Sequence, residues 1–159
     1  MNFVKRTWAE ISLDAIAHNF NEIKNKVNGN SKICCVIKAD GYGHGAAELA
    51  NIYDELGADF FAVSNIDEGI EIRNSGCKLP IVILGYTPVA DAKRLSDYDI
   101  SQAVFSLEYA KSLSDECVKQ NCTCKIHIKV DTGMSRIGFM CQQFPRDDYS
   151  IKEILEVCN

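Results

Sequence analysis

The chain has 159 residues, 47% hydrophobic and 25% charged, with a formal net charge of −5. That length can hold one domain with a real core, burying roughly 70% of the unfolded surface. The acidic balance and the lack of a basic stripe argue against nucleic-acid binding. No apolar run approaches the roughly 20 residues that span a bilayer. The start, Met1-Asn2-Phe3-Val4-Lys5-Arg6, lacks the apolar region and cleavage site of a signal peptide, so a cytoplasmic protein without membrane contact is expected.

Taken in order, the segments alternate between helical and strand patterns. Ser12 is a plausible N-cap for a first helix with Leu13, Ile16, Phe20, Ile23 and Val27 on one face. Ile33 to Lys38 reads as the first strand. A helix from about Ala46 to Leu56 stops at Gly57. Phe60-Phe61-Ala62-Val63 is the next strand, and the helix after it begins near Asn65 with Asp67 and Glu68 in its first turn. Ile81 to Leu84 forms a third strand between Pro80 and Gly85, and Pro88 opens a short helix at its first position. Ala103-Val104-Phe105 is a fourth strand, Ser106 caps a helix through about Lys119, and Lys125 to Val130 is a fifth. The tail reads as a helix with Ile151, Ile154, Leu155 and Cys158 on one side.

Short apolar strands separated by helices are typical of parallel α/β structure. They fit either an open doubly wound sheet or the first part of a closed (β/α)₈ barrel. Length alone favours the open sheet, because a barrel typically needs about 250 residues.

Eight cysteines are present, scattered over strands, helices and turns. Without a secretory signal, reduced thiols acting as small hydrophobes are expected. Cys122-Thr123-Cys124 with Cys141 makes a weak zinc pattern, with one-residue spacing and no fourth partner. His44 reads as a residue shaping a glycine turn, His127 as a packed and hydrogen-bonded strand residue, and Trp8 as a packing anchor. His18 has no evident chemical partner.

The informative stretch is Lys32 to Gly45, where an apolar run ends in Lys38 and breaks into a glycine-rich turn. One reading is a nucleotide-binding turn. Gly41-Tyr42-Gly43-His44-Gly45-Ala46 fits G-x-G-x-x-A, and Asp67 lies roughly where a ribose-binding acid is sought. The other reading is Schiff-base chemistry. A lysine at the C-terminal end of a barrel strand points into the cleft where βα loops build active sites. Tyr42 can offer a phenolic hydrogen bond, and Arg136 follows another strand end with a guanidinium suited to a carboxylate.

Val36-Ile-Lys38-Ala-Asp-Gly-Tyr42-Gly-His-Gly45 resembles the pyridoxal-phosphate attachment motif of the alanine racemases. Asp131-Thr-Gly-Met-Ser-Arg136-Ile-Gly138 is similar to a second motif of that family, and Thr7-Trp8-Ala9-Glu10-Ile11 with Leu13-Asp14 and His18-Asn19 resembles its N-terminal signature. The resemblance implies a (β/α)₈ TIM-type barrel, present here only as its first part over residues 1–159, without the remaining barrel and the C-terminal β domain. It implies pyridoxal 5'-phosphate as cofactor and alanine racemisation for peptidoglycan precursors, through an aldimine on Lys38 and proton transfer by two bases. Carried over residue by residue, Lys38 binds the cofactor and acts as one base, Tyr42 holds its phosphate, and Leu84 packs beside it. Arg136 contacts the cofactor's phenolic oxygen and the substrate carboxylate. Lys129 matches a position carbamylated in some members, where the new carboxylate orients the arginine. The second base, a tyrosine, comes from the partner in a head-to-tail homodimer, so this portion alone is expected to be inactive. Rival readings are a serine racemase domain of the vancomycin-resistance type, a non-catalytic pyridoxal-phosphate-binding barrel protein, and a nicotinamide-dependent oxidoreductase.

Overall fold

The computed structural model describes residues 7–142 and 148–159, so the start from Met1 to Arg6 lies outside the described residues. Five parallel strands form the main sheet: β1 (Cys34–Val36), β2 (Phe60–Val63), β3 (Ile81–Ile83), β4 (Ile100–Val104) and β5 (Ile126–Ile128). Their spatial order is their chain order, β1-β2-β3-β4-β5. A doubly wound dinucleotide sheet reverses direction at a switch point, whereas strands of a barrel follow one another. The sequential order therefore decides for barrel topology and against the open sheet that length favoured.

Helix α1 (Leu13–Val27) precedes the sheet, and between the strands lie a single turn α2 (Lys38–Gly43), α3 (Ala46–Leu56), α4 (Ile66–Asn74), α5 (Ala92–Asp97) and α6 (Leu107–Lys119). After β5, Val130–Asp131 (β6) pairs with Phe139–Met140 (β7), and α7 (Asp148–Cys158) follows. Ser12, Asn65 and Ser106 each accept a backbone N–H at the start of their helices, as their positions predict. Pro88 falls one place earlier than expected, preceding a 3₁₀ turn, Val89–Asp91, that leads into α5.

The core lies between sheet and helices. Phe61, Val63, Ile81, Ile83, Ile100 and Val104 on one face of the sheet, and Ala62, Val82 and Ala103 on the other, are buried, as strands covered on both faces require. Arg73 ties α4 to the N-terminal ends of the strands, donating to the carbonyls of Cys77, Leu79, Tyr98 and Asp99. At one margin β5 has no neighbour beyond it among the described residues, and Ile126 is exposed. His127 is likewise exposed on this edge and is not the packed residue expected from a strand position.

Three other packing expectations change. Trp8 is 75% exposed and is not the packing anchor expected. On α1, Phe20 is buried with its ring tilted against that of Tyr53, centroids 5.5 Å apart, while Leu13 and Ile23 face solvent. On α7, Ile154 and Val157 meet the core, whereas Leu155 and Cys158 are exposed. The apolar face is rotated by roughly one position from the one read in the sequence. No helix among the described residues is long and apolar enough to cross a membrane.

Candidate active site

The C-terminal ends of parallel strands converge on a cleft of about 340 Å³ lined by Lys38, Ser64, Leu84, Gly85, Arg136 and Ile137. Lys38 begins the turn after β1, Ser64 follows β2, and Leu84 and Gly85 follow β3. Arg136 lies on the loop joining β6 to β7. Three of the residues singled out in the sequence, Lys38, Leu84 and Arg136, thus meet at one place. Lys38 is half-buried, and its Nζ lies 5.9 Å from the ring centroid of Tyr42, within cation–π range. Tyr42 stands 61% exposed and lines a separate pocket with Gly41 and His44, not this cleft.

The turn that carries Lys38 has an unusual backbone. Ala39, Asp40, Gly41 and Tyr42 all have φ between 50° and 60°, a full turn of left-handed helix. Each residue with a Cβ costs about 1–2 kcal/mol in that region, so the surroundings must hold it there. Gly41 N–H donates to Ile37 O, and Gly45 N–H donates to Asp40 O, both at 3.0 Å. His44 Nδ1 lies 3.0 Å from Gly41 O, a bond it donates when that nitrogen carries the proton. His44 is the turn-shaping residue expected.

Asp40 settles the nucleotide question. Its Oδ1 accepts the N–H of Ala46 at 2.8 Å and so caps α3 from six residues upstream. The N-terminus where a pyrophosphate would sit already holds a carboxylate. Asp67 is exposed and pairs with Arg94 at 2.5 Å, away from any ribose role. The glycine pattern serves the left-handed turn.

Two residues that sequence reasoning passed over complete the site. Glu68, taken only as a helix-start acid, bridges two strand ends. One carboxylate oxygen accepts Ala39 N–H at 2.9 Å, next to Lys38, and the other accepts Ser64 N–H at 2.7 Å and Ser64 Oγ–H at 2.8 Å. Gln102, fully buried on β4, donates to Gly85 O at 2.7 Å and Ala103 O at 2.8 Å, supporting the cleft wall. A buried glutamine in a strand was the available signal for it. Gly85 has no room for a side chain, since a Cβ there would meet Ser64 O at 2.5 Å.

On the other side, Asp131 organises the loop of Arg136. Its Oδ1 accepts Gly133 N–H at 2.9 Å and Ser135 N–H at 3.0 Å. These bonds hold its carboxyl below the usual 3.8. Arg136 is exposed, and its guanidinium makes a weak contact with the Met134 sulfur at 3.4 Å. Lys129 is half-buried, and its backbone links β4 to β7: its N–H donates to Val104 O at 2.8 Å and its carbonyl accepts Phe139 N–H at 2.9 Å.

Pyridoxal phosphate needs an amine, a cation and an apolar wall, and this cleft offers all three in Lys38, Arg136 and Leu84. The donor set fits that group. Cys35 on β1 is no rival nucleophile, because burial and the neighbouring Cys34 push its thiol up to about 11.

Residues 11–153 match the family described as alanine racemase, N-terminal domain. Alanine racemase 1 of Caldanaerobacter subterraneus subsp. tengcongensis is 46% identical over 156 residues, covering 98% of this chain and 39% of that protein. The alanine racemase of Clostridium difficile 630 in complex with cycloserine superposes with a TM-score of 0.89 at 40% identity, over 98% of this chain and 42% of that one. A histidine racemase from Leuconostoc mesenteroides subsp. sake matches with a TM-score of 0.78 at 29% identity, over 92% and 38%. The chain therefore spans about two fifths of the length of these relatives.

Proposed function

The chain belongs to the alanine racemase family, and on that premise we propose that it forms the first part of a pyridoxal-phosphate-dependent racemase acting on alanine. The observation that carries the reading is the meeting of Lys38, Leu84 and Arg136, from separate strand ends, around one cleft. Lys38 would hold the cofactor covalently, Tyr42 its phosphate, Leu84 its face, and Arg136 its phenolic oxygen and the substrate carboxylate. When bound, the cofactor supplies an electron sink that acidifies the substrate α-carbon.

Lys38 then takes or returns the α-proton at Nζ on one face of that carbon. The opposite face needs a second base, which by family resemblance is a tyrosine of the partner in a homodimer. Glu68 fixes the backbone beside Lys38, so the amine meets the substrate from one direction. Carbamylation of Lys129 would place a carboxylate to steer Arg136. Intact mass before and after exhaustive removal of carbon dioxide tests that assignment. The rest of the barrel and a C-terminal β domain belong to the same proposal, as do a cytoplasmic setting and a role in supplying D-alanine for peptidoglycan.

Borohydride reduction of the full-length, cofactor-loaded protein followed by peptide mapping is the direct test. The expected result is a pyridoxyl group on Lys38, abolished in Lys38→Ala; a stable adduct on another lysine would defeat the assignment. A second reading has its own observation behind it, the fold shared with a histidine racemase. Comparing kcat/KM for alanine, serine and histidine on the full-length protein separates the substrates.

A further inference from the structure

We propose that Cys117, Cys122 and Cys124 form a binding site for one thiophilic d¹⁰ cation of the zinc class, at the opposite end of the sheet from the candidate active site. The three Sγ atoms lie within 4.8 Å of one another, and those of Cys117 and Cys124 are 3.4 Å apart. With Zn–S bonds of about 2.3 Å, sulfurs on a tetrahedral zinc stand roughly 3.8 Å from each other. Rotamer-scale movement closes the set.

Local structure brings these thiols together. Helix α6 ends with Asn121 in the left-handed region at φ 48°. Cys122 N–H donates to Cys117 O at 3.0 Å and Asn121 N–H donates to Val118 O at 3.2 Å. This pair of bonds is the Schellman motif, which seats the side chain after the left-handed residue against the last helical turn. It sets Cys122 on Cys117. Two residues on, Cys124 lies just ahead of β5 and donates weakly to Ala92 O at 3.3 Å, which aims its sulfur back at the same point.

The donor set specifies the ligand class. Three thiols and no carboxylate select soft cations over magnesium or calcium. The fourth position opens on a cavity of about 350 Å³ walled by Val104, Leu113 and Val157, leaving room for water or a small ligand. Three thiols that exchange three protons for a dication leave a single negative charge, and Lys93, itself paired with Asp97, lies within electrostatic reach of Cys122. All eight cysteines are free, so none of the three is committed to a disulfide.

The test is titration of the full-length, reduced protein with cadmium(II) under anaerobic conditions, with zinc(II) as competitor. One equivalent should produce a thiolate charge-transfer band and protect three cysteines from alkylation, mapping to Cys117, Cys122 and Cys124. The triple variant Cys117→Ser, Cys122→Ser, Cys124→Ser should lose both signals, and Cys122→Ser alone, the least disruptive change, should lose protection at the other two. Cys141→Ser and Cys158→Ser should retain band and protection. Binding that survives the triple variant, or protection that maps to other cysteines, overturns the proposal.

Discussion

The turn after β1 and the loop after β6 bring their cations to one cleft, yet they are held in unlike ways. The Lys38 turn is clamped on three sides, by the buried Ile37 below, by Asp40 capping α3, and by Glu68 reaching across from α4. The Arg136 loop is organised around one carboxylate, Asp131, and its guanidinium is exposed. A group that must meet a reacting carbon gains from fixed geometry, and left-handed strain persists only where the surroundings over-determine it. An arginine binding a carboxylate can adjust on a long side chain. The clamped turn suits the role proposed for Lys38 as the reacting amine; the lighter loop suits the recognition proposed for Arg136.

Breaking the clamp should have the largest effect. At Gly41, φ is +60° and an added Cβ would meet Leu49 Cδ1 at 2.6 Å. Gly41→Ala combines overpacking with left-handed strain and should cost about 2–4 kcal/mol. Gly43, with φ +84° and open space around it, should cost only about 1–2 kcal/mol on the same change. Urea unfolding of the two variants checks the contrast, and equal losses would mean that the turn is not wedged against α3.

Glu68→Gln comes next. Each of its oxygens accepts from at least one donor, so an amide must turn an N–H toward another donor. The expected loss is about 1–3 kcal/mol. A structural role alone would lower only stability. Because Ala39 adjoins Lys38, the visible absorbance of the pyridoxal phosphate proposed to sit there should shift as well. Glu68→Asp, which keeps the charge, should restore part of that signature.

The lighter loop should respond to acid. The Asp131 carboxyl is held below its ordinary 3.8 by backbone donors. Its stabilising contribution is therefore complete above the unfolded value and lost as pH falls through the lower folded one. Unfolding midpoints measured from pH 5 to pH 2 should drop more steeply for the native chain than for Asp131→Asn. Parallel curves would detach this carboxylate from loop stability.

How much of this was legible in the sequence follows from the range of the forces involved. Helix caps at Ser12 and Ser106 act over three residues and are legible in the sequence, as is the helix start near Asn65. So is Lys38 at a strand end, since an apolar run and a glycine turn adjoin it. Glu68 and Gln102 were missed because their partners lie 29 and 17 residues away; only the tertiary fold brings them within reach. His127 and Trp8 were misread as packed because burial depends on neighbours that composition does not name. The cysteines divide in the same way. Cys122 and Cys124 were paired with Cys141, whereas the motif ending α6 brings in Cys117.

The smallest expected effect probes how closed the clamped side is. Cys35 lies on β1, three residues before Lys38, and burial with the neighbouring Cys34 raises its thiol from 9.0 to about 11. Alkylation proceeds through the thiolate. Below pH 9 the thiolate fraction of Cys35 is therefore about 100-fold lower than that of an ordinary cysteine. Cys158 is exposed at the end of α7 and serves as the internal reference. Alkylation at pH 8 followed by peptide mapping should modify Cys158 well before Cys35, and the gap should narrow as pH rises toward 11. Gly41→Ala, by loosening the turn above β1, should speed Cys35 and leave Cys158 unchanged. If Cys35 reacts as fast as Cys158 in the native chain, β1 opens to solvent and the contrast between a clamped and a lightly held side loses its basis.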